Sequence, residues 1–356
     1  MHSDPLPTPP PFVPDDSQDI DTLNVRKSVL AFPDQCQQVI RDLAMIHVPP
    51  HCYNVSNVVV SGMGGSALGG RIIGSLERQI LKIPVVVSTE YHLPNFVNEK
   101  SLVIICSYSG NTEETLSSLA EARARGAQIF IIASGGKLAE IARQFDIPNY
   151  IFKPTNNPSH QPRMGLGYAT LSLIVLLSRC QLLYSPSDMG LLPQFLRGRQ
   201  SNFTKLVHLA RDLSGKAIAI ICAEHLKGAA HAFRNQLHEN AKTFAVMFDL
   251  PELDHHLLEG LTYPPALGDH LSVLFINSSH YHPEVSRRFT LTEEIVKKQH
   301  LPTQHLEVAG NSQLYEALDL IQSGAYLAYA LSQINGVDPG PIPWVDWFKD
   351  NLHDQK

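Results

Sequence analysis

From Asn57 onward the chain alternates short β-branched runs with stretches whose apolar positions recur three and four apart. The runs read as buried parallel strands and the stretches as the crossover helices that join them. Strands are predicted at Val58–Ser61, Pro84–Ser88, Leu102–Ser107, Gln128–Ala133 and Asn149–Phe152, with helices at Ser66–Gln79, Glu113–Ala124 and Leu138–Gln144 between them. A long apolar helix, Met164–Leu183, is expected to lead away from this sheet and pack between the two halves of the chain. A second series then begins, with strands at Ala217–Cys222, Thr243–Phe248, His270–Asn277 and His305–Val308. Val58-Val59-Val60-Ser61 answers Ile218-Ala219-Ile220-Ile221, and the run ending at Ser107 answers Val273-Leu274-Phe275-Ile276. The fold class is therefore α/β, two copies of one parallel-sheet unit flanked by helices, with a boundary expected near residues 185–199.

Composition narrows the functional classes. A chain of 356 residues exceeds one ordinary domain. With 44% hydrophobic and 17% charged residues it is neither disordered nor a membrane protein. Its longest strongly apolar stretch, Leu171–Leu177, falls far short of the roughly 20 residues that span a bilayer. Lys+Arg 28 against Asp+Glu 34 gives a net charge of -6 with no basic block, so neither membrane nor nucleic acid is expected as a partner. A small anion would have to be held by local dipoles. Residues 1–21, rich in proline and acids and without the features of a secretion signal, are expected to form a disordered tail. The 5 cysteines are scattered without paired spacing, which fits a reducing cytoplasm.

Candidate chemistry sits where the first and third strands end. After the first comes Ser61-Gly62-Met63-Gly64-Gly65-Ser66, and after the third Ser107-Tyr108-Ser109-Gly110-Asn111-Thr112-Glu113-Glu114-Thr115. Carboxyl ends of parallel strands are where open α/β sheets bind ligands, because helix amino termini present free NH groups there. Glycines allow close backbone approach, and Ser66, Ser107, Ser109 and Thr112 can donate hydroxyl hydrogen bonds to phosphate oxygens. Each motif has a plainer reading, a tight turn for the glycines and a capped helix start for the hydroxyls. The spacing of Gly62, Gly64 and Ala67, with Glu90 beyond the second strand, also fits a dinucleotide fingerprint and hence a dehydrogenase, but leaves the hydroxyl cluster unexplained. The second copy lacks the glycines and the hydroxyl cluster, so only the first is expected to hold an anion.

Taken in order, these motifs resemble the phosphosugar-binding signature of sugar isomerase (SIS) domains, and more narrowly the bifunctional phosphoglucose/phosphomannose isomerases, which have two such domains. Tyr91-His92-Leu93-Pro94, Pro162-Arg163-Met164-Gly165, His238-Glu239-Asn240-Ala241-Lys242, Pro251-Glu252-Leu253-Asp254-His255 and Phe348-Lys349 extend the likeness from about Val25 to the carboxyl end. The resemblance implies two tandem SIS domains, residues 22–190 carrying the phosphosugar loops and residues 191–356 carrying the catalytic Glu and a carboxyl-terminal helix. It implies interconversion of glucose 6-phosphate, and of mannose 6-phosphate, with fructose 6-phosphate through an enediol, without metal or organic cofactor. It also implies a homodimer with shared active sites.

Residue by residue, it implies phosphate binding by Gly64, Ser66, Ser107, Ser109 and Thr112, with Glu239 as catalytic base. Arg163 would hold the enediolate, His255 would open the sugar ring, often from the neighbouring subunit, and Lys349 would lie beside the substrate. Read alone, Glu239 is a solvated helix residue, Arg163 a surface cation and Lys349 a solvated lysine. The His255-His256 pair shows no third ligand at metal spacing. Two departures stand out: His256-Leu257 where the family usually reads Asn-Glu, with Glu259 the next acid, and Ile342 where several relatives carry Thr, which leaves mannose 6-phosphate activity less secured. Trp344 and Trp347 are expected to pack the terminal helix down. Rival readings are a non-catalytic phosphosugar sensor and another SIS-domain phosphosugar enzyme.

Overall fold

Runs of β-branched residues favour extended backbone, and burial on both faces selects a parallel sheet covered by helices. The computed structural model describes residues 20–76, 80–184 and 188–353; the tail before Ile20 and part of the expected boundary, residues 185–187, lie outside them. Helices α1 (Val25–Leu30) and α2 (Phe32–Ala44) precede the first sheet. That sheet is β1 (Asn57–Ser61), β2 (Val85–Ser88), β3 (Ser101–Ser107), β4 (Gln128–Ala133) and β5 (Asn149–Ile151), parallel throughout in the order β2-β1-β3-β4-β5. Its crossovers include α3 (Gly65–Ser75), α4 (Glu113–Ala124) and α5 (Gly136–Gln144), and α6 (Leu166–Arg179) comes after it. After α7 (Leu192–Arg199) and α8 (Phe203–Leu213), the second sheet is built from β6 (Ala217–Ala223), β7 (Ala245–Leu250), β8 (Leu271–Asn277) and β9 (Thr303–Glu307), in the order β7-β6-β8-β9. Its helices are α9 (Lys227–Glu239), α10 (Leu257–Gly260), α11 (Leu267–His270) and α12 (Pro283–Lys298), succeeded by α13 (Gln313–Ile334) and α14 (Pro343–His353). The two α/β copies legible in the sequence are thus present, β6 answering β1 and β8 answering β3.

The expected place of the long apolar helix is corrected. It is α6, shorter than the apolar run, and its main partners are α2 and α3 of its own half rather than the second half. The junction between halves is made by α3 against α9. These two helices come so close that a Cβ on Gly228 would fall on the Arg71 carbonyl, and Gly228 N donates to Ser75 Oγ at 2.8 Å. Helix α13 is buried on all sides from Leu314 to Gln333, so that even its polar line of Glu316, Asp319, Gln322 and Ser323 is hydrogen-bonded inside, and it packs against α8, α9, α7 and α1. Ile20 and Asp21 join this body: Ile20 N donates to Gln333 Oε1, and the Asp21 carboxylate caps the amides of Val25 and Arg26.

Helix α13 also closes the carboxyl ends of the second sheet. Glu316, fully buried, accepts hydrogen bonds from Ser278 Oγ, from Ser279 N and Oγ at 3.2 and 3.0 Å, from His225 Nε2 at 2.8 Å, and lies 3.0 Å from His280 Nδ1. Burial alone would raise its carboxyl, but the donors from His225, Ser278, His280 and Ser279 outweigh burial and hold it at about 2. A depressed carboxyl contributes stability above its unfolded pKa and loses it as pH falls through the folded value. Glu316→Ala is therefore expected to cost about 3–5 kcal/mol near neutrality, by stranding buried donors. In urea titrations, the gap between wild type and variant should narrow as pH drops below about 4 toward 2.

Candidate active site

The loops that end β1 and β3 meet side by side. Ser66, at the start of α3, accepts a hydrogen bond from Tyr108 N at 3.0 Å, so the glycine loop and the hydroxyl loop are tied together. Ser107 Oγ lies 2.8 Å from Thr112 Oγ1 and accepts from Gly110 N at 3.0 Å. Ser109 Oγ accepts from Asn111 N at 3.3 Å and is exposed. Gly110 sits at φ 74, and a Cβ there would fall on the Gly135 carbonyl, so this turn requires glycine twice over. Gly64 occupies the same left-handed region at φ 49. Thr112 holds the N-cap position of α4, yet its hydroxyl makes no capping bond and faces Ser107 instead. The plainer reading of this segment as a side-chain-capped helix start is therefore not what forms. These hydroxyls and the amino ends of α3 and α4 stand together at adjacent strand ends, a donor arrangement that suits an oxyanion.

A short turn, Pro162–Met164, borders this cradle: a Cβ on Gly65 would meet the Pro162 carbonyl at 2.9 Å, and one on Gly165 would meet the Tyr108 ring at 2.6 Å. The turn carries Arg163, which is only 3% exposed. Its Nε donates to Asn240 Oδ1 at 2.7 Å, its NH1 to Gln161 Oε1 at 2.8 Å, and its NH2 to the carbonyls of Pro339 and Gly340 at 2.9 and 2.6 Å. Helix α9 ends beside it and delivers Glu239, whose Oε2 stands 3.7 Å from the guanidinium. Burial raises the Glu239 carboxyl above its ordinary range, opposed by Arg163, Lys349, Lys242 and His238. Burial likewise lowers Arg163, opposed by Glu239 and Asp346. Lys242, in the left-handed region at φ 53, turns its ammonium back onto the Glu239 and Pro341 carbonyls, a strained conformation of the kind that collects at sites.

Cradle, Arg163 and Glu239 are thus brought together, and α14 crosses nearby, since Lys349 and Asp346 act on the two charged groups. His255 is not brought to them. It lies beyond the carboxyl end of β7, whereas Glu239 precedes the amino end, and the six residues of β7 span about 20 Å. Its loop is pinned by Asp254, which accepts from Arg288 NH1 and Thr292 Oγ1, both at 2.8 Å, while His255 faces solvent without a partner among the described residues. His256 and Glu259 are exposed too, and Ile342 comes directly after the carbonyl that Lys242 holds. The expected packing of the tryptophans is corrected: Trp344 and Trp347 are 82% and 61% exposed, because nothing among the described residues covers that face of α14.

Sequence reasoning missed Asn240, Gln161 and the Pro339 and Gly340 carbonyls as the partners that position Arg163. The proline-punctuated run Asp338-Pro339-Gly340-Pro341-Ile342-Pro343 was a legible signal of a rigid segment with exposed carbonyls.

Tandem parallel sheets, with a glycine and hydroxyl cradle at the switch point of the first, define a two-domain protein of the sugar isomerase type. The model of the SIS domain matches residues 51–178, and that of the bacterial phospho-glucose isomerase C-terminal SIS domain matches residues 205–352. The chain is 30% identical over 342 residues to a bifunctional phosphoglucose/phosphomannose isomerase of Caldicellulosiruptor bescii, covering 93% of this chain and 99% of that one. It is 30% identical over 215 residues to a D-glucosamine-6-phosphate 4-epimerase of Sulfolobus acidocaldarius, covering 59% of this chain and 65% of the relative. Among solved structures, the C-terminal domain of a glucosamine-fructose-6-phosphate aminotransferase from Francisella tularensis superposes with a TM-score of 0.71 at 15% identity, covering 92% of this chain and 100% of that one. The chain belongs to the family of bifunctional phosphoglucose/phosphomannose isomerases.

Because Arg163 spends a planar fork of donors on four separate acceptors, a lysine cannot replace it. Arg163→Lys is expected to lower stability by about 1–3 kcal/mol for stranding buried acceptors. Amide hydrogen exchange should quicken over residues 338–353 while β1 and β3 stay protected.

Proposed function

We propose that the protein is an aldose-ketose isomerase that interconverts glucose 6-phosphate with fructose 6-phosphate, and takes mannose 6-phosphate as the second aldose. The reading rests above all on one observation: a carboxyl raised by burial, Glu239, 3.7 Å from a buried guanidinium and beside a cradle suited to phosphate. Substrate phosphate would be bound by Ser66, Ser107, Ser109 and Thr112 and by the backbone at Gly64, leaving C1 and C2 near Glu239. A base whose pKa lies nearer neutrality than an ordinary carboxylate suits proton transfer between carbons, and Arg163 supplies the positive charge that the enediolate needs. A fixed cation in this position supports a reaction without metal or organic cofactor.

Ring opening would fall to Lys349 and to His255 of the partner subunit. Two features support a homodimer: His255 lies a strand's length from Glu239 in its own chain, and α14 carries Trp344, Trp347 and Phe348 exposed beside the site. The domains would divide near residue 190. The buried, unpaired cysteines support a reducing cytoplasm.

Incubation of chelator-treated protein with fructose 6-phosphate in deuterated water tests the chemistry. Glucose 6-phosphate bearing deuterium at C2 is expected, with mannose 6-phosphate alongside. Binding without either aldose would sink the isomerase in favour of a phosphosugar sensor. Glu239→Gln is expected to lower kcat by about 10²–10⁴-fold with phosphosugar affinity kept. If His255 acts across the interface, mixing Glu239→Gln with His255→Ala subunits should restore about a quarter of the wild-type sites, since only one site in each mixed dimer is intact. No recovery after subunit exchange would count against the shared site.

A further inference from the structure

The molecule has a second crevice that mirrors the first. Helices α3 and α9 each come after the central strand of their sheet and pack in opposite directions: the start of α9, at Gly228, lies on Arg71 of α3, while its end, at Glu239, lies by the turn that borders the start of α3. The candidate active site occupies the amino end of α3. Its counterpart lies at the amino end of α9, beyond β6, β7 and β8. There the deep anion position is filled by the protein's own Glu316 carboxylate, held by Ser278 and Ser279 after β8. The sequence suggested no hydroxyl cluster in this copy, and the hydroxyls that do stand there are already engaged.

In front of that plug a cavity of about 970 Å³ stays open, lined by Arg71, Ser75, Lys227, His231, Asp249 and His282 among others. Pockets of roughly 300–1,000 Å³ hold small organic molecules. Two acids on its wall are already engaged, Asp249 with Lys227 at 3.4 Å and Glu224 with the His282 amide at 3.1 Å. Arg71, on the wall from the first half, and Arg234, which stands behind the lining His231 in the second, are different: neither guanidinium meets a carboxylate among the described residues. They repel one another, and Arg71 and Arg234 together press on His231, which burial and these cations push down to about 4. Arg234 NH2 donates to His231 Nε2 at 2.9 Å, and because a guanidinium only donates, the neutral ring carries its proton on Nδ1. At the back wall, His225 is wholly buried with Nε2 engaged by Glu316, and its Nδ1 has no partner. An uncompensated guanidinium on the wall, with a second one close behind it, is a cost that a bound anion would remove.

We propose that this interdomain cavity is a second ligand site, separate from the catalytic one, that takes an organic phosphate with its phosphoryl group seated on Arg71, beside the His231 ring that Arg234 holds. The ligand bridges the same two helices that carry Ser66 and Glu239 at their other ends.

Titration calorimetry of the full chain with inorganic pyrophosphate tests the phosphoryl seat. Two classes of site per chain are expected. One should be lost in a Ser107→Ala, Thr112→Val double variant, and the other should weaken at least about tenfold, the value of one lost charge-assisted contact, in Arg71→Gln. Arg234→Gln provides a second variant should Arg71→Gln not fold. A single class that vanishes in the hydroxyl variant and is untouched by both arginine variants overturns the proposal. So does a result in which the arginine variants alter only the sedimenting mass, which would make the guanidinium pair a contact with a second copy. The isomerase reading is unaffected by either result.

Discussion

A guanidinium stays in a protein interior only if each of its donors finds an acceptor, because it cannot shed its charge. Arg163 meets that condition for four of its five N–H donors, with acceptors drawn from three parts of the chain: Gln161 on its own turn, Asn240 at the end of α9, and the carbonyls of Pro339 and Gly340 that lead into α14. The glycine loop packs on the same turn, so one side chain fixes the cradle, the terminal helix and Glu239 relative to each other. If any of these acceptors moved away, a buried NH would be left bare. The site is precise because the cost of imprecision falls on a charge.

Glu239 and Glu316 illustrate how the same side chain acquires opposite character from its donors. Glu316 is fully buried, yet hydrogen bonds from hydroxyls, an amide and imidazoles keep it a permanent carboxylate. Glu239 has one cation at 3.7 Å and no donor in direct contact among the described residues, so burial prevails and its proton is held more firmly. One is a structural ion and the other a group able to exchange its proton. That division stems from where the hydroxyls stand: in the first half they bond to one another and to loop amides, in the second they close on the Glu316 carboxylate of α13.

Much of the fold was legible. Strands such as Val58-Val59-Val60 and Leu102–Ser107 announce themselves because β-branched residues buried on both faces leave no other reading. The cradle was legible through glycine and hydroxyl spacing at strand ends. Where the chain resisted reading, the missing information was three-dimensional. All-round apolarity says that α6 is buried but not against which neighbour, and α2 and α3 are found there. Sixteen positions separate Glu239 from His255, a spacing that conceals a strand standing between them. Trp344 and Trp347 have the helical spacing of a packed face, but nothing among the described residues covers that face.

The depth at which α13 sits has a consequence for synthesis on the ribosome. Helix α1, among the first described residues, rests against α13, which is complete only at Ile334. A nascent chain can lay down its first sheet early and give α1 its contacts with α2 and the Pro162–Met164 turn, but the contact of α1 with α13 waits until most of the remaining sequence has emerged. For that interval the amino-terminal helix presents its apolar face to the cell. Closure of α1 against α13 is therefore a late, nearly terminal event.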